Sequence, residues 1–385
     1  MEQLFALDLG TTKFCLATLN PAQPDEIDTV CIPAAGMKRG MVASYQETKK
    51  ALLELISTAE EKFATDISTV HVGIAGAHLW SRKIESQVHL NHHTVNLEHI
   101  YKLKSQIPSK LSSGHQILHQ IPMHYQVDQR PEVLEPQGLS GQFLHGQFLL
   151  IGSDFVYARD VIQLCNDCGL RVKALFAEPY ASAQSTVHQT ASETGVTVAD
   201  IGGGTTDGIC FRGGKPIGCF TINVGGEIIT NDLAIGLGVS KSEAEHLKHT
   251  FGVLDTNIET QVSTIHNDLK HIKASDIQKI LKPRLEELSH LILQQRLRLG
   301  VDPETGLFLT GGGADLKGLP QLMENQLNIH VSRVRPTQAK EHHTGKLATS
   351  IGLLSLAQLS TTTKKNSSKL SYYAKQFFDF IKELS

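Results

Sequence analysis

Two distant stretches of this chain place a carboxylate, glycines and hydroxyls between apolar runs. In "FALDLGTTKFCLATL", Asp8 ends the first run and Gly10, Thr11, Thr12 and Lys13 follow. In "TVADIGGGTTDGICF", Asp200 is followed by Gly202, Gly203, Gly204, Thr205, Thr206 and then Asp207. Glycines let backbone N–H groups approach an anion and point at it, and hydroxyls add donors, so each loop can cradle phosphate. Asp8 and Asp200, each at the end of a strand-like run, can hold a hydrated Mg2+ through its waters. Lys13 can add a point charge. A single loop of this kind is also ordinary hairpin chemistry. Two copies imply a duplicated lobe with a nucleotide clamped between the halves. Neither has the spacing of a Walker loop or of the dinucleotide glycine motif.

A third cluster, Gly311, Gly312 and Gly313 in "LFLTGGGADLKGL", follows an apolar run. Three glycines let the backbone lie against something flat, such as an adenine or a ribose. The helical "KSEAEHLKH" can add Glu245 and Lys248, although the same pair also reads as a solvated face with i,i+3 pairing. Asp8, Asp200 and Asp207 are all candidates for a base, and nothing in the sequence ranks them.

The elements that must position these loops are legible from periodicity. Residues 4–9 and 14–19 read as paired strands joined by a tight turn. Residues 45–63 have apolar positions at helical spacing, and "TVHVGIAG" (69–76) reads as a buried strand. From 84 to 163 the chain is polar and His-rich, with Pro108, Pro122, Pro131 and Pro136, as in an inserted subdomain. A helix at 161–170, the strand "RVKALFAE" and the small-residue helix "PYASAQSTV" follow, and "GVTVADIG" opens a second half. Residues 227–304 read as mostly helical, and "GLFLTGGG" returns to the core. After "SIGLLSLAQL", the segment 360–369 is polar and reads as a flexible linker.

With 385 residues, 40% of them hydrophobic, the chain can fill more than one core. A net charge of −3 without a basic, aromatic-laced stripe excludes a general pull toward nucleic acid. Six cysteines are too sparse for a disulfide framework and fit a reducing cytosol. The opening "MEQLFALDLG" has no basic region or cleavage site, so no signal peptide is expected. No run approaches the ~20 apolar residues of a spanning helix.

The three glycine loops, in this order, resemble those of the actin/Hsp70/sugar-kinase ATPase superfamily. Within it the chain resembles the FtsA family of bacterial cell-division proteins. "HVGIAGAHLWS", "QGLSGQFLHG", "CGLRVKALFAEPYASA" and "INVGGEIITNDLAIGLGVSKSEAEHLKHTFG" carry this closer likeness, together with the loops and the tail. The resemblance implies an α/β, actin-like fold: ribonuclease H-like duplicated lobes, four subdomains around a nucleotide cleft, and a C-terminal amphipathic helix on a flexible linker. The first subdomain would hold 1–83 and 164–195, with 346–359 packing back. The insertion would be 84–163, the third 196–226 and 305–345, and the fourth 227–304. ATP with Mg2+ is the implied cofactor. Gly225, Gly226, Glu245, Lys248 and the third glycine cluster would line the nucleoside. Hydrolysis would be slow at most. The implied partners are the FtsZ C-terminal peptide, further copies in an actin-like polymer, and later divisome proteins through 84–163. Lys282 and Arg284 would meet the acidic peptide, or simply lie on a solvated face.

In "KLSYYAKQFFDFIKELS" (369–385), Tyr373, Phe377, Phe380, Ile381 and Leu384 share one helical face. Lys369, Lys375 and the upstream Lys364 and Lys365 suit anionic lipid, at ~1 kcal/mol each near the surface. A helix docked on the protein's own core is the other reading; the preceding linker and the family resemblance favour the membrane. The implied location is the cytoplasmic face of the inner membrane at the division septum. Cys165 and Cys168 have C-x-x-C spacing without two further ligands and read as structural. Two other classes remain open: a soluble small-molecule kinase or phosphatase of the same superfamily, and an actin-like scaffold for pilus or secretion machinery.

Overall fold

The computed structural model describes residues 3–366, except 22, 24–25, 109–110, 112–113, 254–258, 264, 266–268 and 338–344. The expected hairpin forms as β1 (Phe5–Leu9) and β2 (Lys13–Leu19), with Asp8 opposite Cys15. β3 (Ile27–Pro33) extends it, and β4 (Met37–Lys38) and β5 (Met41–Val42) form a short ribbon before α1 (Tyr45–Phe63) and β6 (Thr69–Ile74). An inserted unit follows: β7 (Leu79–His89), α2 (Leu97–Ser105), β8 (His115–Val127) and β9 (Phe143–Asp154), in sheet order β7-β9-β8. The chain then returns through α3 (Phe155–Asp167) and β10 (Arg171–Ala177), completing a sheet ordered β10-β6-β1-β2-β3. Two helices, α4 (Glu178–Thr186) and α5 (Gln189–Thr194), lead into the second half.

That half repeats the plan. β11 (Val196–Ile201), β12 (Thr206–Arg212) and β13 (Lys215–Ile222) form an antiparallel meander. A helical unit follows: α6 (Gly226–Leu237), α7 (Lys241–Phe251), the hairpin β14 (Glu259–Ser263) and β15 (Leu269–Lys273), and α8 (Ala274–Arg298). Then β16 (Gly306–Thr310), α9 (Leu319–Leu327), β17 (Val331–Arg333) and α10 (Ala348–Asn366) close the fold. The second sheet runs β13-β12-β11-β16-β17, so in both halves a meander's first strand pairs in parallel with the fourth strand and the fourth with the fifth.

Period-two alternation decides which way each aspartate faces. Phe5, Leu7 and Leu9 enter the core shared with α1 and α3, while Ala6 packs with α10 residues Ile351, Leu354 and Ala357. Asp8 shares the Ala6 face and therefore meets α10. In β11, Ala199 and Ile201 enter the core beneath α6–α8, and Val196 and Val198 pack with Ala183 of α4. Asp200 shares that second face. α4 and α10 cross between the lobes at very close range: a Cβ on Gly352 would lie 1.8 Å from the Ala181 carbonyl oxygen.

Three expectations are corrected. The insertion, expected at 84–163, is a sheet from Leu79 to Asp154; α3 instead buries Ala158, Val161, Ile162, Leu164 and Cys165 in the first lobe's core. The linker expected at 360–369 begins as helix, because α10 continues to Asn366. Cys15 and Cys31, directly opposed on β2 and β3, are joined as a disulfide, where the sparse cysteines were expected to fit a reducing cytosol. Cys165 is buried as expected, and burial pushes its thiol well up. No helix among the described residues is long and apolar enough to cross a membrane. The tail residues Lys369, Tyr373, Lys375, Phe377, Phe380, Ile381 and Leu384 lie outside the described residues.

Candidate functional site

The two hairpin turns meet across one cleft of about 550 Å3. Asp8, Gly10, Thr11, Thr12 and Lys13 line it from the first lobe. Asp200, Gly202, Gly203, Gly204, Thr205, Gly226, Glu245, Lys248, Gly311, Gly312 and Gly313 line it from the second. The loops touch: a Cβ on Gly203 would lie 2.2 Å from Thr12 Cγ2, and one on Gly204 would lie 2.5 Å from Thr11 Oγ1. Glycine is thus required here by the partner loop as well as by any anion. Thr11 Oγ1 also accepts the Gly40 N–H at 3.2 Å.

Two residues of the expected set turn away from the cleft. Thr206 is fully buried, and its hydroxyl donates to the Val224 carbonyl at 2.7 Å, pinning the meander. Gly225 lies behind the loop, where a Cβ would strike the Gly203 carbonyl oxygen at 2.5 Å. Its neighbours continue the support: the Gly226 and Glu227 N–H groups donate to the Gly202 and Gly203 carbonyls at 2.9 and 2.8 Å. The start of α6 thereby fixes the second loop.

The carboxylates are individually engaged. Asp8 Oδ2 accepts from Lys13 Nζ at 3.2 Å and from Ser350 Oγ at 3.1 Å. Asp200 Oδ2 accepts from Ser182 Oγ at 2.5 Å and from Thr349 Oγ1 at 3.0 Å. Burial raises its pKa, and those two hydrogen bonds oppose the rise. Asp207 accepts from Thr221 Oγ1 at 2.6 Å and Thr205 Oγ1 at 2.7 Å, yet burial holds it up at about 6. At the far end of the cleft, Lys248 is buried and donates to Glu245 at 2.7 Å and Thr230 at 2.8 Å. The solvated-face alternative therefore fails for Lys248.

Sequence reading missed Glu178. It opens α4, lines the cleft, and sits where a Cβ on Gly73 of β6 would lie 2.7 Å from its Oε1. Burial first, then the charges of Asp8, Asp207 and Asp200, push its pKa well above the usual carboxylate range. The available signal was the isolated glycine inside the strand "TVHVGI", which marks a close approach. Lys346, Ser182 and Thr349 also line the cleft and were not anticipated.

The donor set suits a hydrated cation rather than a directly ligated one. Among the described residues no three His, Cys, Asp or Glu side chains converge closely enough to hold a metal ion. Two separately bonded aspartates on facing strands fit contact through water. The glycine turns, Lys13 and Lys248 supply the complementary donors for an anion and a polar ring edge. Lys282 and Arg284 lie apart on α8. Lys282 is exposed, whereas Arg284 pairs with Asp232 of α6 at 2.6 Å and with Glu287.

A family model described as "Cell division protein FtsA" matches residues 197–352, and one for the "SHS2 domain inserted in FTSA" matches residues 76–152. The second match agrees with the structural bounds of the insertion. The chain is 26% identical over 351 residues to the cell division protein FtsA of Pseudomonas aeruginosa, covering 88% of this chain and 84% of that one. For the FtsA of Neisseria meningitidis the values are 27% over 379 residues, 93% and 91%; for that of Escherichia coli, 28% over 345 residues, 84% and 82%. Among solved structures, the PilM–PilN type IV pilus biogenesis complex matches with a TM-score of 0.62 at 19% identity, covering 92% of this chain and 98% of that one. MreB5 of Spiroplasma citri, solved with ADP, matches at 0.53 and 13%, covering 94% and 98%. These two likenesses show the fold, which is that of the actin-like ATPases.

Proposed function

We propose, for a chain that belongs to the FtsA family of cell-division proteins, that it binds ATP with Mg2+ between its lobes and tethers FtsZ filaments to the cytoplasmic membrane. The observation that carries the nucleotide reading is the convergence of two duplicated Asp–Gly–Thr turns on one cleft, closed at the far end by the Gly311–Gly313 turn and Lys248. Asp8 and Asp200 would hold the cation through its waters, and Lys13 with the turn N–H groups would hold phosphate. Glu245, Lys248, Gly226 and the third glycine turn would line the nucleoside. When bound, the cation–nucleotide pair supplies the positive and negative charge these groups are placed to meet. The structure solved with ADP in a protein of this fold supports the reading by analogy.

Glu178 bears on turnover. Burial and three neighbouring carboxyls raise its pKa well above the usual carboxylate range, which disfavours its ionisation. That direction supports slow hydrolysis at most, in keeping with a nucleotide that governs assembly.

The tail supplies the membrane reading. Tyr373, Phe377, Phe380, Ile381 and Leu384 would enter the headgroup region of the inner membrane, with Lys369 and Lys375 at anionic lipid. One short helix binds reversibly, and actin-like self-assembly would multiply the attachments. The exposed Lys282 is assigned to the acidic FtsZ peptide; Arg284 would have to exchange Asp232 for it. Later divisome proteins are assigned to the insertion, Leu79–Asp154.

Co-flotation with anionic vesicles tests the tether. Purified FtsZ is floated with the full chain or with a chain ending at Ser367, each with and without Mg-ATP. FtsZ carried up only by the full chain is the expected result. FtsZ left in solution with both chains, while both bind ATP equally, overturns the tether and favours a small-molecule enzyme.

A further inference from the structure

Four hydroxyl groups on α4 and α10 have no assigned role, and three of them gather at the two cleft aspartates. Ser350 Oγ donates to Asp8 Oδ2 at 3.1 Å from one side. On the other, Ser182 Oγ and Thr349 Oγ1 both donate to Asp200 Oδ2, at 2.5 and 3.0 Å, and the two hydroxyls lie 3.1 Å from each other. The fourth, Ser185, donates instead to the Ser182 and Ala348 carbonyls at 3.0 and 2.8 Å, tying α4 to the start of α10. All four are buried or nearly so.

We propose that Ser182 and Thr349 form a hydroxyl clasp that reaches across the lobes and positions Asp200 for its cation contact. This rests on the Mg-nucleotide reading of the cleft. Asp200 belongs to the second lobe, on β11, and Ser182 to α4, which packs on that lobe, whereas Thr349 comes from α10, which packs on the first lobe's sheet. Both donate into one oxygen, so the carboxylate is fixed in rotation and its other oxygen, Oδ1, receives neither hydroxyl. Oδ1 lies against the Gly311 turn, where a Cβ would be 2.2 Å away. Among the described residues it takes no hydrogen bond, which leaves it for a cation-bound water in the cleft that Asp200 lines.

The test is ATP affinity of the full chain, measured by calorimetric titration at pH 7, in Mg2+ and again in EDTA. Thr349→Val is isosteric and removes only the hydroxyl. It is expected to weaken ATP binding about tenfold in Mg2+ at pH 7, the equivalent of one hydrogen bond to a charged acceptor. The loss should be absent in EDTA. Thr349→Ser restores binding. Ser185→Ala, which loosens the same helix pair without touching a carboxylate, keeps the wild-type Mg2+ dependence. An equal loss for Thr349→Val in Mg2+ and in EDTA overturns the clasp in favour of a packing role, as does no loss at all. Failure of the wild type to bind ATP under any of these conditions overturns the nucleotide reading itself, and is seen before any variant is made.

Discussion

Replacing Lys248 by Met probes the far end of the cleft without nucleotide. Lys248 Nζ sits among Glu245 at 2.7 Å, Thr230 at 2.8 Å and the Gly226 carbonyl at 3.2 Å. Burial alone would raise Glu245, but hydrogen bonds from His249, Lys248 and Thr230 outweigh it and hold the carboxyl at about 2, from 4.5. Burial lowers Lys248 itself against the pull of Glu245, so part of the pair's energy is spent desolvating the lysine. At about 1.4 kcal/mol per pH unit, the Glu245 displacement corresponds to about 3 kcal/mol before solvent screening. Glu245 is 46% exposed, so roughly half survives, about 1.5 kcal/mol. Because the folded pKa is depressed, this stability is present above pH 4.5 and is lost as pH falls toward 2. The assay is a urea-unfolding double-mutant cycle over wild type, Lys248→Met, Glu245→Gln and the double variant, at pH 7 and pH 3. His249 and Thr230 share that displacement, so a Lys248–Glu245 coupling of about 0.7 kcal/mol is expected at pH 7, with less than half of it left at pH 3. Coupling below about 0.3 kcal/mol, or coupling equal at both pH values, refutes the reasoning.

Three further outcomes follow from single residues. Gly311→Ala meets a backbone φ of +84° and places Cβ 2.2 Å from Asp200 Oδ1 and 2.6 Å from the Ile201 carbonyl oxygen; it should cost at least about 2 kcal/mol in urea unfolding and weaken ATP binding. Burial raises Asp207 from 3.8 to about 6, so stability is lost as pH rises between those values; Asp207→Asn should gain about 1–3 kcal/mol over wild type at pH 8 and nothing below pH 4, read by thermal unfolding. Mass spectrometry after alkylation should find four free thiols (Cys165, Cys168, Cys210 and Cys219) without reductant and six with it.

The phosphate loops were legible because their chemistry is local: an aspartate, glycines and hydroxyls adjacent in sequence remain adjacent in space. α1 was legible for the same reason, since one amphipathic period fixes its ends. What escaped was set by packing between distant segments. Glu178 gave no sign of its burial beside Asp8, because that depends on Gly73 of a different strand leaving it room. The hydroxyls of Thr349 and Ser350 meet Asp200 and Asp8 only through the crossing of α10 over both lobes. Thr206 and Gly225 matched the loop pattern in type but serve it from behind, which alternation along β12 and the start of α6 decide. The insertion's edge was misplaced because α3 is apolar on one face, and sequence does not say which core that face joins.

The most direct test of the account is amide hydrogen exchange of the full chain with and without Mg-ATP. If the cleft clamps nucleotide between duplicated turns, exchange slows together at residues 8–13, 200–206 and 311–313. Protection of one turn alone, or of none, contradicts it.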